Sequence, residues 1–94
     1  MGNRDQKLDL GNQIDELTSK VKGIKFSRLL KICEDAFGGH RISGSHYIFK
    51  TPWPGDPRIN LQKAGNLAKP YQVKQVIAAL RKLDSIAQED RDSE

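Results

Sequence analysis

The spacing of the apolar residues changes twice along this chain, and these changes restrict its fold more than any other feature. Up to residue 24 the apolar residues recur every three or four positions, the period of one helical face: they are Leu10, Ile14, Leu17, Val21 and Ile24. Between residues 40 and 51 the period becomes two, as in a strand, and after residue 70 it is helical again. A central group of strands with helices before and after it is therefore expected.

The two helices that precede the strands have recognisable ends. The first is expected to run from Asp9 to about residue 21, since Gly23 then offers a stop. The second is expected to have Ser27 as its N-cap and to end at Gly38 and Gly39, because glycine adopts a left-handed C-cap at least cost. Its apolar face consists of Leu29, Leu30, Cys33, Ala36 and Phe37.

The strands are expected to pair as an antiparallel meander. Ile42 lies in the first strand, Gly44 and Ser45 turn the chain, and two further strands cover residues 46–51 and 58–62. A period of two sends alternate side chains to opposite faces. The inward residues are Tyr47, Phe49, Ile59 and Leu61. The outward residues are His46, Ile48, Lys50, Arg58, Asn60 and Gln62.

The remaining segments complete an α+β sandwich. Residues 52–57 contain three prolines, which remove three ladder donors, so this segment is expected to be a loop. The last helix is expected to begin near Pro70 and to carry its apolar face to Leu83, with residues 88–94 frayed. Because each main helix has one apolar face, the helices are expected to pack on one side of a three-stranded antiparallel sheet and to leave the other side open to solvent.

The charge of the chain is divided unevenly. The net charge of +4 consists of −2 over residues 1–19, +10 over residues 20–82 and −4 over residues 83–94. The strongly basic segment of residues 20–82 favours a polyanionic partner. Nucleic acid is the first candidate, and an anionic membrane surface or an acidic protein is the second. A role in solubility alone would also account for the charge.

Composition excludes or disfavours several classes of protein. Cys33 is the only cysteine, so the chain has no internal disulfide framework and no cysteine-rich zinc site, and no metal is expected. No stretch approaches the roughly eighteen apolar residues of a membrane span, and residues 1–10 lack the apolar core of a secretory signal. We therefore expect a cytoplasmic domain that uses neither a membrane nor a cofactor.

Gly44-Ser45-His46, at the head of the second strand, is the most specific motif of the chain. Histidine is the side chain that ordinarily exchanges a proton near neutral pH. RNA carries its own nucleophile, the 2′-hydroxyl, so a base that takes its proton, beside cations that hold the phosphate, could cleave RNA without a metal. An exposed strand histidine with no chemical role is the alternative interpretation of His46.

The segment Gly44-Ser45-His46-Tyr47-Ile48-Phe49 resembles the hairpin of HicA-type toxins, which are small bacterial mRNA interferases. The resemblance covers roughly residues 26–83: a helix that opens with serine, a glycine-rich end, the hairpin, a strand, a basic connector and an amphipathic last helix. It implies a fold similar to that of double-stranded-RNA-binding domains (α-β-β-β-α), catalysis by His46, mRNA as substrate and a HicB-type antitoxin as partner. Many relatives have a second histidine where this chain has Tyr47.

On this interpretation the chain has three parts, an N-terminal extension with one helix (residues 1–24), a HicA-like domain (residues 25–83) and an acidic tail (residues 84–94). The extension could be a cap on the core, a dimer contact or a partner site. The candidate RNA-binding residues lie in the hairpin, the loop, the connector and the start of the last helix: Ser45, Lys50, Arg58, Lys63, Lys69 and Lys74.

Four other residues have competing interpretations. His40 lies across the turn from His46 and could form an acid–base pair with it, although a strand-end residue without a role is favoured. Trp53 could stack on a base or cover the sheet edge. Tyr47 could also stack on a base, but a position in the core is favoured for it. Cys33 is expected in the core as an inert thiol and not as a nucleophile.

Two functions other than RNA cleavage fit the same residues. A non-catalytic RNA-binding module would share the fold and the charge, and the missing second histidine keeps this interpretation open. An adaptor that binds a partner through residues 10–24 would need no affinity for RNA.

Overall fold

The computed structural model describes residues 10–53 and 58–92, with side chains through Ala87. The described residues form three helices and three strands in the order that the apolar spacing predicts. Their bounds are α1 Leu10–Ser19, α2 Phe26–Phe37, β1 His40–Ser43, β2 His46–Phe49, β3 Ile59–Gln62 and α3 Pro70–Asp92. The protein therefore has an α+β structure.

The three strands form one antiparallel sheet in the order β1-β2-β3. The turn between β1 and β2 contains Gly44, whose φ of 63° lies in the left-handed region that glycine adopts without strain. The registers align Ser43 with His46, and His46 with Gln62, so these three residues lie side by side across the sheet. Since opposite residues of an antiparallel pair point to the same face, the registers assign each strand residue to one of two faces.

One face of the sheet is covered by α2 and α3 and forms the core. Phe49, Ile59 and Leu61 are buried on this face, and Tyr47 is half-buried at its margin, with its ring centroid 5.4 Å from that of Phe26. The inward and outward residues predicted for β2 and β3 are thus confirmed. The helical residues buried in the same core include Leu17, Leu29, Ile32, Cys33, Val73, Val76 and Leu80.

The N-terminal helix α1 belongs to this core. Leu17 is fully buried, and α1 packs along α3. Arg28 of α2 donates two hydrogen bonds, of 2.8 and 2.7 Å, to the carboxylate of Glu16 and so ties α1 to α2. A cap on the core is therefore the role that α1 has in this fold, one of the three that its apolar spacing allows.

A short backbone pairing decides where α2 begins. Lys25 forms an isolated bridge with Leu67, and the backbone N–H of Phe26 donates to the carbonyl of Asn66 at 2.8 Å. The pairing keeps Lys25 extended, with ψ of 144°, so the helix starts at Phe26 and has no side-chain cap. The prediction that Ser27 is the N-cap is wrong, because a tertiary backbone pairing and not a capping side chain sets the start of this helix.

Two helix ends also differ from the prediction. α1 ends at Ser19, two residues early, and a turn follows over residues 20–23. α3 begins at Pro70 as predicted but continues to Asp92, through the residues expected to fray. No glycine or proline interrupts residues 71–92, so nothing in the backbone chemistry of this segment stops the helix at residue 88.

Parts of three predicted features lie outside the described residues. These are residues 1–9 of the extension, where the first helix is expected to start, residues 54–57 of the proline loop and residues 93–94 of the acidic tail. Among the helices that are described, none combines the length and the apolar character needed to cross a membrane.

Candidate functional site

The face of the sheet opposite the helices, here termed the open face, carries the predicted catalytic residue. The pairing registers arrange its side chains in rows across the strands. The first row is Ser43, His46 and Gln62, the second is Arg41, Ile48 and Asn60, and Lys50 and Arg58 follow beyond the ends of β2 and β3. None of these eight residues is acidic.

His46 occupies the centre of the first row and is partly exposed. Its Nδ1 atom lies 2.9 Å from Oδ1 of Asn60, a residue of the neighbouring strand β3. The Asn60 amide is oriented with its oxygen towards the ring, and because an amide oxygen only accepts, this orientation makes Nδ1 the donor of the hydrogen bond. In the neutral ring Nε2 then keeps its lone pair, so Nε2 is the atom that can take a proton from a ligand.

The surroundings of His46 are polar and uncharged. Ser43 lies opposite it on β1 and Gln62 lies opposite it on β3. The side-chain amide of Gln62 is 3.5 Å from the hydroxyl of Ser45, and the Ser45 carbonyl accepts a hydrogen bond from the backbone of Lys63 at 3.1 Å. The predicted RNA-binding residue Ser45 therefore lies in the turn beside His46, where its hydroxyl and the Gln62 amide can both meet a ligand.

The cations of the open face lie towards its other end. Lys50 and Arg58, both predicted as RNA-binding, are exposed there and line a groove of about 450 Å³ together with Arg41. Ile48 forms part of the same groove. The structure thus brings Lys50 and Arg58 onto the face of His46, but two rows away from its ring.

The three remaining predicted cations do not share this face. The Nζ atom of Lys63 lies 3.4 Å from the Gly65 carbonyl and 6.0 Å from the centroid of the Phe26 ring, on the helix side of the sheet. Lys69 immediately precedes α3, and Lys74 lines a groove between α1 and α3. Their positions in the chain are as expected, but they lie apart from His46.

Four polar residues of the open face were not singled out as functional by sequence reasoning: Arg41, Ser43, Asn60 and Gln62. Asn60 is predicted to point outward, but its contact with His46 depends on the register between β2 and β3. Arg41 lies two residues before Ser43 in β1, so both side chains point to the same face, and Arg41 pairs with Ile48. The alternation of β1 could have placed Arg41 on the open face, whereas no local signal could have placed Asn60 beside His46.

The second histidine lies on the other side of the sheet. His40 faces the helices, where its ring centroid is 5.1 Å from that of Tyr47 and 5.3 Å from that of Phe49. Its Nδ1 atom lies 3.0 Å from Oε2 of Glu34, close enough for an ion pair although the groups are not aligned as a hydrogen bond. An acid–base pair of His40 with His46 is therefore excluded by the faces they occupy.

Trp53 and Cys33 pack against other side chains of the fold. The Trp53 ring packs edge-on against Phe37, with centroids 6.1 Å apart, and the Nζ atom of Lys82 lies 5.0 Å from its centroid. These contacts agree with the interpretation that Trp53 covers the edge of the sheet, and not with a ring that is exposed for stacking on a base. Cys33 is buried, as predicted, and burial raises the pKa of its thiol to about 12. The inert thiol therefore stays a prediction that this burial supports.

Among the side chains that the structure describes, in residues 10–53 and 58–87, no three histidine, cysteine or carboxylate groups lie close enough together to hold a metal ion. Comparison of the chain with protein-family models, curated proteins and solved structures found no match. The open face, with one oriented imidazole and a cationic end, is therefore the candidate functional site on its own geometry.

Proposed function

We propose that this protein is a metal-independent endoribonuclease that cleaves mRNA with His46 as general base, and that it is the toxin of a toxin–antitoxin pair. The observation that carries the proposal is the contact with Asn60, which leaves Nε2 of His46 free to take a proton on a surface that has cations and no acids. The resemblance of residues 44–49 to the HicA hairpin points to the same imidazole. The order α2, β1, β2, β3, α3 also agrees with the double-stranded-RNA-binding type of fold that this proposal includes for residues 25–83.

The chemistry requires only groups that the RNA and this surface supply. Nε2 of His46 takes the proton of a 2′-hydroxyl, the 2′-oxygen attacks the adjacent phosphorus, and the bond from phosphorus to the 5′-oxygen breaks. The products are a 2′,3′-cyclic phosphate and a 5′-hydroxyl, whose proton comes from water. The side chains of Ser43 and Gln62, which flank His46, can donate hydrogen bonds to the phosphate oxygens as charge builds up on them.

The proposed partners follow from the same surface. A HicB-type antitoxin that covers the open face would block His46 and would have to complement its cations with acidic groups. In this proposal the protein acts in the cytoplasm, where mRNA is available, and uses no cofactor.

The proposal is tested with two matched histidine variants. His46→Gln and His40→Gln remove one imidazole each from opposite faces of the same hairpin, and both are compared with the wild type at equal concentrations of folded protein in the presence of a chelator. We expect His46→Gln to lower the kcat of RNA cleavage by about a hundredfold or more. His40 lies on the opposite face of the sheet, at the margin of the groove that Arg41 and Lys50 line, so we expect His40→Gln to leave kcat nearly unchanged even if it alters KM. Equal rates for wild type and His46→Gln, or loss of all activity in the chelator, would exclude the mechanism.

One observation favours a second candidate, a non-catalytic RNA-binding module. Among the eight residues of the open face, His46 carries the only imidazole and there is no carboxyl group. The next residue in the chain, Tyr47, points to the helix side. No second acid–base side chain therefore stands beside His46 on this face. Such a module would bind RNA with a salt-dependent Kd and release it intact, and His46→Gln would hardly change that Kd. Analysis of the RNA on a denaturing gel separates the two functions.

A further inference from the structure

The open face has a neutral end and a cationic end. Ser43, His46 and Gln62 form the first row and carry no fixed charge. Every Lys or Arg of the face lies in the second row or beyond it, in the groove that Arg41, Lys50 and Arg58 line. The distribution of positive charge around His46 is therefore one-sided.

The distance between rows is similar to the distance between successive phosphates of an extended nucleotide strand. Side chains of one face recur every two residues, about 7 Å along a strand. Arg41 is one row from His46, whereas Lys50 and Arg58 are two. Groups at such intervals can contact successive phosphates of one extended strand but cannot all hold the phosphate that reacts at His46.

Two of these cations have no charged or hydrogen-bonding partner among the described residues, which supports a role in binding. Within the described part of the chain, Arg41 and Lys50 have neither an ion-pair nor a hydrogen-bond partner, and both are exposed. Arg58 does have an interaction. Neither Arg41 nor Lys50 is therefore neutralised by an acidic group among the described residues, which leaves its charge available to a ligand.

We infer that the open face binds single-stranded RNA in one polarity, with the reacting phosphate at His46 and the phosphates on one side of it held by Arg41, Lys50 and Arg58. This inference rests on the proposed nuclease function. A single strand is required because the 2′-oxygen must lie in line with the leaving 5′-oxygen, which the regular conformation of a duplex does not allow. The substrate must therefore extend from the cleaved linkage in the direction of the cationic groove, while nucleotides on the other side contribute little to binding.

A double variant tests the cationic groove without requiring cleavage. In a His46→Gln background, Arg41→Gln with Lys50→Gln is compared with Lys22→Gln with Arg81→Gln, which removes the same two kinds of charge from the turn after α1 and from the side of α3 that faces α1. The probe is a fluorescein-labelled polyuridine, and its Kd is measured by anisotropy over a range of salt. We expect the open-face pair to raise Kd about tenfold and to flatten the plot of log Kd against log salt by about 1.4, since each phosphate contact on a single strand contributes about 0.7. Equal changes in both pairs, or none in the open-face pair, would overturn the inference.

The polarity is tested with the active protein. A DNA oligonucleotide with one ribonucleotide has a single cleavable linkage, and neutral methylphosphonate linkages are placed either before or after it. We expect the neutral linkages to raise KM about tenfold on one side only, and to lose that effect in the Arg41→Gln/Lys50→Gln variant. Equal effects on both sides would contradict a one-sided groove. If the wild type cleaves no RNA although the open-face pair weakens binding, the proposed nuclease function fails and the RNA-binding groove stands.

Discussion

Asn60 on β3 accepts a hydrogen bond of 2.9 Å from Nδ1 of His46 on β2, although fourteen residues separate them in the chain. The neighbouring strand thus decides which nitrogen of the ring carries the proton and which faces outward. A residue that is neither acidic nor basic therefore determines whether His46 can act as a base.

Replacement of Asn60 tests this positioning role. We expect Asn60→Ala to lower the kcat of RNA cleavage by about tenfold, a part of the roughly hundred- to ten-thousandfold that acid–base catalysis contributes, since the ring then loses its fixed tautomer and orientation. We expect Asn60→Asp to keep the acceptor while its charge stabilises the protonated ring, so the acidic limb of the pH–rate profile should move to higher pH. A profile that is the same in Asn60→Asp and wild type would show that this contact does not govern the base.

The ion pair between α1 and α2 should make stability depend on pH. The hydrogen bonds from Arg28 hold the pKa of the Glu16 carboxyl below its ordinary value of 4.5. Because the pKa is lowered in the folded state, the stabilisation is complete above the ordinary value and is lost as the pH falls through the folded value. Both side chains are partly exposed, so Glu16→Gln should lower the free energy of unfolding at neutral pH by only about 0.5–1 kcal/mol.

The measurement is urea unfolding followed by circular dichroism at several pH values. Asp15→Asn, which neutralises an exposed neighbouring acid of the same helix, is the matched control and should change stability less. The difference between wild type and Glu16→Gln should shrink towards zero in acid. A difference that persists at a pH where Glu16 is protonated would rule out the ion pair as its source.

Truncation of Leu17 tests whether α1 is part of the core. Leu17 is fully buried, so Leu17→Ala should lower the free energy of unfolding by about 2–5 kcal/mol. The control is Ile42→Ala on β1, since Ile42 is 56% exposed and its truncation should cost much less. If Leu17→Ala costs no more than the control in urea unfolding, α1 does not cap the core.

The thiol of Cys33 should be protected from alkylation. It lies on the buried face of α2 and its pKa is raised to about 12, so almost no thiolate is present near neutral pH. We expect iodoacetamide to modify native protein slowly and to modify it readily in urea, as followed by mass spectrometry. A Ser19→Cys variant in a Cys33→Ala background places a thiol at an exposed position and should react at once in the native state. Rapid modification of native wild type would show that Cys33 is accessible.

Much of this fold could be predicted because its signals are local. The alternation over residues 46–49 assigns His46 to one face and Phe49 to the other without any knowledge of the neighbouring strands. The helical spacing before residue 24 and after Pro70 likewise predicts which residues face the core. The start of α2 could not be predicted in this way, since it depends on the pairing of Lys25 with Leu67.

Local residue patterns were enough to place an imidazole and several cations on the solvent side of a small sheet, because the side-chain period of a strand belongs to each strand alone. Which of these groups meet depends on how the strands and the connector pack together. The register between strands joined Asn60 to His46 and placed Arg41 one row away, and the folding of the connector carried Lys63 to the helix side. Register and connector paths depend on the pairing of segments distant in the chain, and no local period contains that information.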